Sequence, residues 1–255
     1  MFKEEIHAVA SSAAAKFALL KKNPLGYLVS SALAGAFIGF GVLLAFTAGG
    51  LLSAAASPLV KIVMGLSFGI ALSLVVMAGA ELFTGNNFVM AVGIAKKTVR
   101  LRDALLLWAV CWLGNLIGAV ILAFLFHGTG LNSGAVGEFI AASALTKTTL
   151  PWVNLILRGL FCNILVCLGV WCSAKMKSES GKLIMIFWCL FAFITIGFEH
   201  SIANMSLIVI ALLGEGAANL TIGGYFYNLL FVTIGNMLGG IVCVALPYLQ
   251  IAKEK

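Results

Sequence analysis

Long apolar stretches separated by short polar ones dominate the pattern of this chain. Two stretches, 27–60 and 216–252, contain no charged residue and exceed the roughly 20 apolar residues that cross a bilayer. An α-helix is the expected conformation, because it satisfies its backbone hydrogen bonds internally. The pattern predicts an all-α membrane protein with six transmembrane helices, at about 27–51, 59–95, 104–126, 152–174, 183–213 and 225–249.

The second and fifth of these segments share one polar interruption. Glu81 is followed five residues later by Asn86, and Glu199 is followed in the same way by Asn204. Interrupted membrane helices at matching places in two repeats indicate a permeation site near the middle of the membrane. A loop that only plugs the helix bundle is the alternative. The predicted breaks are residues 81–87 and 199–204.

The chain reads as two similar halves. A Gly-Asn signature follows each break, at 114–118 and at 235–239, and residues 33–37 resemble residues 157–161. Because each half holds three spans, the second half enters the membrane from the opposite side, so the repeat is inverted. The asparagines of the two signatures are expected to bond to backbone groups freed by the breaks, with direct solute contact as the alternative.

We interpret the whole chain, 1–255, as a single transmembrane channel domain. The first repeat covers 23–126 and the second covers 146–250. Apolar residues recur at helical spacing within 1–22, which predicts an amphipathic N-terminal helix. This helix either lies on the membrane surface or packs, solvated, on a loop.

Composition agrees with this class. Apolar residues make up 62% of the 255 positions and charged residues 10%, against roughly 25% charged residues in a soluble domain. The net charge of +7 does not predict nucleic-acid binding, because the cations flank apolar segments and do not alternate with aromatic residues. We expect no nucleic-acid partner and a lipid bilayer as the surroundings.

The cations also predict the orientation. Thirteen of the 16 basic residues lie on one side of the six spans, and the positive-inside rule makes that side cytoplasmic. Both termini are then cytoplasmic, in the cell inner membrane. The three cations left over are Lys61, Lys147 and Arg158. Lys147 either dips towards the breaks or snorkels to the interface, and Arg158 reaches either the external headgroups or a neighbouring subunit.

His200 is the histidine that falls within a predicted span. Ionisable groups at that depth are costly and commonly line a water path or relay protons, and a histidine can exchange a proton with a weak acid near neutral pH. A satisfied core histidine is the alternative. In the other break, Thr84 adds a hydroxyl donor, and Gly85 is expected to permit a tight turn. Free N–H groups at the ends of the half-helices favour an anion.

No catalytic, metal or cofactor site is predicted. The six cysteines contain no CxxC pair, so a metal or disulfide framework is not expected. Ser201 beside His200 resembles a nucleophile and base only superficially, because adjacent residues rarely present these groups to each other and no oxyanion glycine pattern surrounds them. We therefore expect that the protein is not an enzyme.

The two break motifs, 81–86 and 198–204, together with Lys147, Asn163 and the Gly-Asn signature of the sixth span, resemble the formate/nitrite transporter family. The resemblance covers nearly the whole chain and is nearest to the hydrosulfide ion channel branch. It implies an aquaporin-like protomer, a homopentamer with one pore in each protomer, and passage of small monovalent anions such as formate, nitrite or hydrosulfide.

The resemblance also implies roles for individual residues. His200 is the central polar residue of the pore, and Lys147 with Glu199 resembles the family's charge pair. Phe68 and Phe193 look like the external hydrophobic constriction. Thr84 is expected in a loop at the cytoplasmic entrance, near Leu72, Leu82, Phe83, Asn163 and Val166.

Three other interpretations are weighed against an anion channel. A proton-coupled weak-acid transporter with rocking halves would show saturable flux that depends on a pH gradient. A neutral-solute channel of the aquaporin type would carry paired Asn-Pro-Ala motifs, which this sequence lacks. An intramembrane hydrolase would need the Ser201 chemistry discounted above.

Overall fold

The computed structural model describes residues 1–214 and 216–253 and confirms the all-α fold. Lys255, which was counted among the cytoplasmic cations, lies outside the described residues. Six helices or helix pairs in the described part are long and apolar enough to cross a membrane. The first half contains α1 (Lys3–Lys22), α2 (Pro24–Ala54), α3 (Val60–Phe68), α4 (Ile70–Met77), α5 (Phe83–Ala95) and α6 (Leu101–Gly128).

The second half repeats this order. It contains α7 (Gly134–Thr149), α8 (Trp152–Lys175), α9 (Glu179–Ile196), α10 (Ser201–Leu213), a 3₁₀ turn (Ala217–Asn219), α11 (Ile222–Leu238), a π-helical segment (Gly239–Ala245) and α12 (Leu246–Ile251). Helix α7 precedes α8 as α1 precedes α2, and the sequence analysis did not predict it. The two half-helices α5 and α10 are buried along nearly their whole length in the centre of the bundle.

Both breaks begin earlier in the chain than predicted. Residues 78–82 separate α4 from α5, and residues 197–200 separate α9 from α10. The turn is made by Gly79, with φ of 77°, and by Gly197, with φ of 93°, in the left-handed region that glycine enters without steric cost. The expectation that Gly85 makes the turn is wrong, because Gly85 lies inside α5. Thr84 likewise lies in the first turn of α5 and not in a loop.

Each half contains a close helix pair. An added Cβ at Gly118 of α6 would collide with the carbonyl oxygen of Ala32 in α2, and one at Gly239 would meet that of Leu160 in α8. Backbone contact of this kind lets helices pack tightly where lipid provides no hydrophobic driving force. Because these two contacts are equivalent, Ala32 in α2 corresponds to Leu160 in α8. The sequence match of 33–37 with 157–161 is therefore out of register with the structural repeat by one helical turn.

The N-terminal helix α1 is amphipathic, as predicted. Its buried side chains include Ile6, Val9 and Ala13, and it packs chiefly against α5. The hydroxyl of Thr98 donates to the carbonyl oxygen of Ala10 at 2.9 Å. The helix is thus attached to the protein and forms one wall of a cavity described below.

We predict that Gly197→Ala lowers the free energy of unfolding by about 1–2 kcal/mol, because it forces an L-residue into the left-handed region. No atom lies within 4 Å of the added Cβ, so the cost comes from the backbone alone. Gly128→Ala is the matched control, since it also enters open space but needs no positive φ. Thermal unfolding in detergent compares the two, and equal stability would contradict the turn assignment.

Candidate functional site

An asparagine clamp holds each half-helix at its N-terminus. Asn115 Oδ1 accepts from the backbone N–H of Phe83 at 2.9 Å. Its Nδ2 donates to the carbonyl oxygens of Glu81 at 2.9 Å and Ser31 at 2.7 Å. The N–H of Phe83 and the carbonyl oxygen of Glu81 lie at the break and have no partner within a regular helix, and leaving each unpaired in a buried site costs about 1–3 kcal/mol. The carbonyl oxygen of Ser31 belongs to α2, so the same amide also ties the break to that helix.

The second clamp repeats the first. Asn236 Oδ1 accepts from the N–H of Ser201 at 3.0 Å, and its Nδ2 donates to the carbonyl oxygens of Glu199 at 3.0 Å and Gly159 at 2.8 Å. The prediction that both signature asparagines bond to freed backbone is therefore confirmed.

Each break also carries a Lys–Glu–Asn triad. Lys147 Nζ lies 2.8 Å from Glu199 Oε1, and Asn204 Nδ2 donates to Glu199 Oε2 at 2.7 Å. The carboxylate is 2% exposed and the lysine side chain 18% exposed, so the ammonium group faces open space and the carboxylate is buried behind it. The pairing of Lys147 with Glu199 is thus present.

The matching triad in the first half was missed by the sequence analysis. Lys16 Nζ lies 2.6 Å from Glu81 Oε1, and Asn86 Nδ2 donates to Glu81 Oε2 at 2.9 Å. Lys16 had been counted only as an orientation signal, because pairing across 65 residues leaves no trace in local spacing. The structural counterpart of Lys147 is therefore Lys16, on α1.

Two cavities lie beside the half-helices, one along the first turns of α5 and the other along the first turns of α10. The Lys147 cavity, of about 550 Å³, is lined by Lys61, Lys147, Arg158, Glu199 and Asn204, among other residues. The Lys16 cavity, of about 620 Å³, is lined by Lys16, Glu81 and Asn86 together with apolar side chains of α1, α4 and α8. Each triad thus lies on the wall of its own cavity.

A narrow apolar gap, with no room for a water molecule, separates the two cavities. Phe68 and Phe193 line both the gap and the Lys147 cavity, whereas Leu72 and Leu82 line both the gap and the Lys16 cavity. The two phenylalanine rings meet edge to face, with centroids 5.7 Å apart. The remaining residues that line the gap are Ile38, Val166, Leu190 and His200.

His200 is the polar side chain at this gap. It ends the second break and caps α10, since its Nδ1 accepts from the N–H of Ala203 at 3.1 Å. A neutral ring must then carry its proton on Nε2, which lies 3.0 Å from Thr84 Oγ1, so His200 donates to the threonine. The ring also stacks on Phe193, with centroids 5.9 Å apart. This geometry holds an N–H donor beside an otherwise apolar passage.

Three predicted site residues lie away from the cavity walls assigned to them. Thr84 is fully buried and reaches the gap through His200. Asn163 is fully buried, and its Nδ2 donates to the carbonyl oxygens of Asn236 at 2.6 Å and Thr84 at 3.2 Å. Phe83 lines an apolar groove between α6 and α11, beside Trp108 and Trp112. Neither Asn163 nor Phe83 is among the residues lining the gap.

Arg158, whose place was undecided, lines the Lys147 cavity on α8. Its carbonyl oxygen accepts from the N–H of Glu199 at 3.3 Å, as that of Ser30 accepts from Glu81. All three cations that the orientation count left over therefore converge on one cavity. The sequence signal for this was that none of the three belongs to the thirteen cations assigned to the other side of the spans.

The chain resembles transport proteins throughout its length. A model of the family described as "Formate/nitrite transporter" matches residues 3–250. The "Nitrite transporter NirC" of Salmonella typhimurium (strain LT2) is 43% identical over 252 residues, covering 97% of this chain and 91% of that protein. The "Probable formate transporter" of Methanothermobacter thermautotrophicus is 41% identical over 251 residues, covering 90% of each.

Two solved structures share the fold. One described as "FNT family ion channel" has a TM-score of 0.93 and 40% identity, covering 99% of this chain and 100% of that one. Another, described as "Pentameric formate channel with formate bound", has a TM-score of 0.82 and 29% identity, covering 91% and 98%.

Proposed function

Because this chain belongs to the formate/nitrite transporter family, we propose that it is a channel for small monovalent anions of weak acids, with the path running from one cavity to the other past His200. It is a multi-pass membrane protein. The observation that carries the proposal is the donor held at the apolar gap between two cavities that each present a lysine. Formate and nitrite, named for its relatives, are the first substrates to test, and hydrosulfide is the third.

The apolar gap is proposed to act as two constrictions. Phe68 and Phe193 close it towards the Lys147 cavity, and Leu72, Leu82 and Val166 close it towards the Lys16 cavity. Removing water from an ion costs several kcal/mol even after relaxation, so the rings exclude hydrated ions. We leave Phe83 and Asn163 out of these rings: Phe83 packs in the outer groove, and Asn163 holds the backbone of Thr84 and Asn236.

The charges and dipoles around the gap offset part of this cost. Lys61 and Arg158 give the Lys147 cavity a net positive charge that raises the local concentration of anions there, and Lys147 and Lys16 each place an ammonium donor on a cavity wall. At the gap, the anion competes with Thr84 Oγ1 for the N–H of His200 Nε2. A weak acid that takes up a proton near His200 crosses the rings as a neutral molecule, and the N-termini of α5 and α10 favour the anionic form on either side.

Uptake into proteoliposomes tests the function. Formate, nitrite and hydrosulfide are each supplied with and without an imposed pH gradient, and glycerol serves as the neutral solute. A channel gives flux that rises with concentration without saturating at low values. Saturation together with an absolute need for the gradient would favour the proton-coupled transporter instead. Transport of glycerol alone would contradict the anion assignment.

The assembly is proposed to be a homopentamer with a pore in each protomer, as the pentameric formate channel is a structural relative. Half-exposed apolar side chains on α6 and α11, such as Leu113, Phe226 and Leu230, suit burial against lipid or a neighbouring protomer. Mass measurement of the detergent-solubilised protein distinguishes five copies from one.

We propose an inner-membrane location with both termini in the cytoplasm, which places the Lys16 cavity inside and the Lys147 cavity outside. Labelling from outside intact cells checks this orientation. A cysteine at Ser133 is expected to react with an impermeant maleimide, and a cysteine at Arg100 is not. The reverse labelling pattern would overturn the orientation.

A further inference from the structure

The two cavities share their Lys–Glu–Asn triads but differ in charge. In the Lys16 cavity, Lys16 and Glu81 are the charged residues among those lining it, and they neutralise each other. The Lys147 cavity holds the equivalent pair and two further cations, Lys61 and Arg158. The extra positive charge is therefore confined to one end of the path and lies outside the framework that the repeats share.

The residue equivalent to Arg158 in the first half is not an arginine. Its counterpart in the first half is Ser30, since the carbonyl oxygens of both residues accept from the glutamate N–H of the adjacent break. Ser30 lines the Lys16 cavity as Arg158 lines the Lys147 cavity. The internal repeat thus shows that the backbone at this place requires no arginine.

The guanidinium of Arg158 is not occupied by a carboxylate. Among residues 1–214 and 216–253, Lys147 pairs with Glu199 in this cavity, and neither Arg158 nor Lys61 forms an ion pair. The second oxygen of Glu199 is held by Asn204. Arg158 is half-buried and Lys61 exposed, so the arginine charge lies deeper and is less screened by salt.

The chemistry of this group selects among small anions. A guanidinium presents parallel N–H donors that match two oxygens on one central atom, whereas a lysine ammonium acts as a point charge. Formate and nitrite each offer such a pair of oxygens, and hydrosulfide offers a single acceptor atom. Resting on the proposed function, we infer that Arg158 forms an outer docking site, supported by Lys61, that binds planar oxoanions of the carboxylate and nitrite type before they enter the gap.

The test compares Arg158→Lys, which keeps the charge and loses the fork, with Arg158→Ser, which copies the residue of the first repeat. Arg102→Lys is the matched control, because Arg102 is exposed on a different part of the surface, beside Asp103. Initial uptake by proteoliposomes is measured over a concentration series of formate, nitrite and hydrosulfide. Binding is measured separately from flux, as the thermal stabilisation of the full-length protein in detergent. Sodium formate is compared with sodium chloride at the same concentration.

We expect Arg158→Lys to raise the half-saturating formate and nitrite concentrations by about fivefold to tenfold and to leave hydrosulfide within about twofold. Arg158→Ser weakens all three, and the formate-specific stabilisation shrinks in Arg158→Lys and disappears in Arg158→Ser. Equal changes for formate and hydrosulfide in Arg158→Lys, or unchanged stabilisation by formate, overturn the docking site. The parent protein could also be stabilised by formate through Arg158 and yet transport no anion into proteoliposomes. That result would refute the proposed channel function and would still support the docking site.

Discussion

Replacing Lys147 with methionine is expected to lower the free energy of unfolding by about 3–5 kcal/mol, because it leaves a buried carboxylate without its cation. Glu199 is 2% exposed, and its other contact is the neutral amide of Asn204. Lys61→Met is the matched control, since Lys61 is exposed on the same cavity and its loss should change stability by less than about 0.5 kcal/mol. Thermal unfolding in detergent measures both.

The double variant Lys147→Met/Glu199→Gln separates structure from transport. Neutralising both partners removes the unpaired charge, so stability should return close to that of the parent. Flux should stay about tenfold below the parent, because the ammonium donor on the cavity wall is gone even though the net charge of the cavity is unchanged. Parent-like stability of Lys147→Met alone would show that the pair contributes little to folding, and parent-like flux in the double variant would show that Lys147 does not attract the anion.

Replacing His200 with phenylalanine is expected to reduce anion flux about tenfold or more, since it removes the hydrogen-bond donor at the gap. It also removes the acceptor for the Ala203 N–H, which costs about 1 kcal/mol as a lost helix cap. His200→Asn is the matched variant, because asparagine is a good N-cap and keeps an N–H donor. Its stability should match the parent more closely than that of the phenylalanine variant.

The dependence of flux on pH then shows whether His200 gives a proton to the anion or only donates a hydrogen bond. If hydrogen bonding alone assists passage, His200→Asn keeps both the flux and the pH dependence of the parent. If His200 also protonates the anion, the asparagine variant conducts but loses that pH dependence, because it has no titratable group. A folded phenylalanine variant with parent-like flux and pH dependence would make His200 a structural residue.

The repeat and its clamps could be predicted from the sequence because their residue types recur in the same order. Glu81 with Asn86 and Glu199 with Asn204 marked the breaks, and Asn115 with Asn236 marked the side chains that satisfy them. Such signals are local, and a buried polar residue in an apolar segment must find a partner. The six spans followed from hydrophobic length alone.

What was missed depends on three-dimensional register and on long-range pairing. The breaks were placed too late because the polar residues, and not the turn glycines Gly79 and Gly197, were taken as their centre. Helix α7 was missed because a short, moderately apolar segment between spans resembles a loop. The ion pair of Lys16 with Glu81 joins α1 to the break before α5, far apart in the chain, and no spacing rule connects them.

The proposed anion path runs through the gap beside His200. Comparing anion flux between two tryptophan variants, one in the gap and one outside it, tests this path. Val166 is 2% exposed and lines this gap, which is already too narrow for a water molecule, so a tryptophan there adds bulk that prevents the gap from widening to pass an anion. Leu113→Trp is the control, because Leu113 is half-exposed in the outer groove of about 700 Å³. Both proteins are first matched for folding and for amount in the liposomes.

Stopped-flow uptake of formate and nitrite is then compared with the parent and with empty liposomes. We expect the flux of Val166→Trp to fall to the level of empty liposomes while Leu113→Trp conducts like the parent. A folded Val166→Trp protein that conducts like the parent would show that the anion path lies elsewhere.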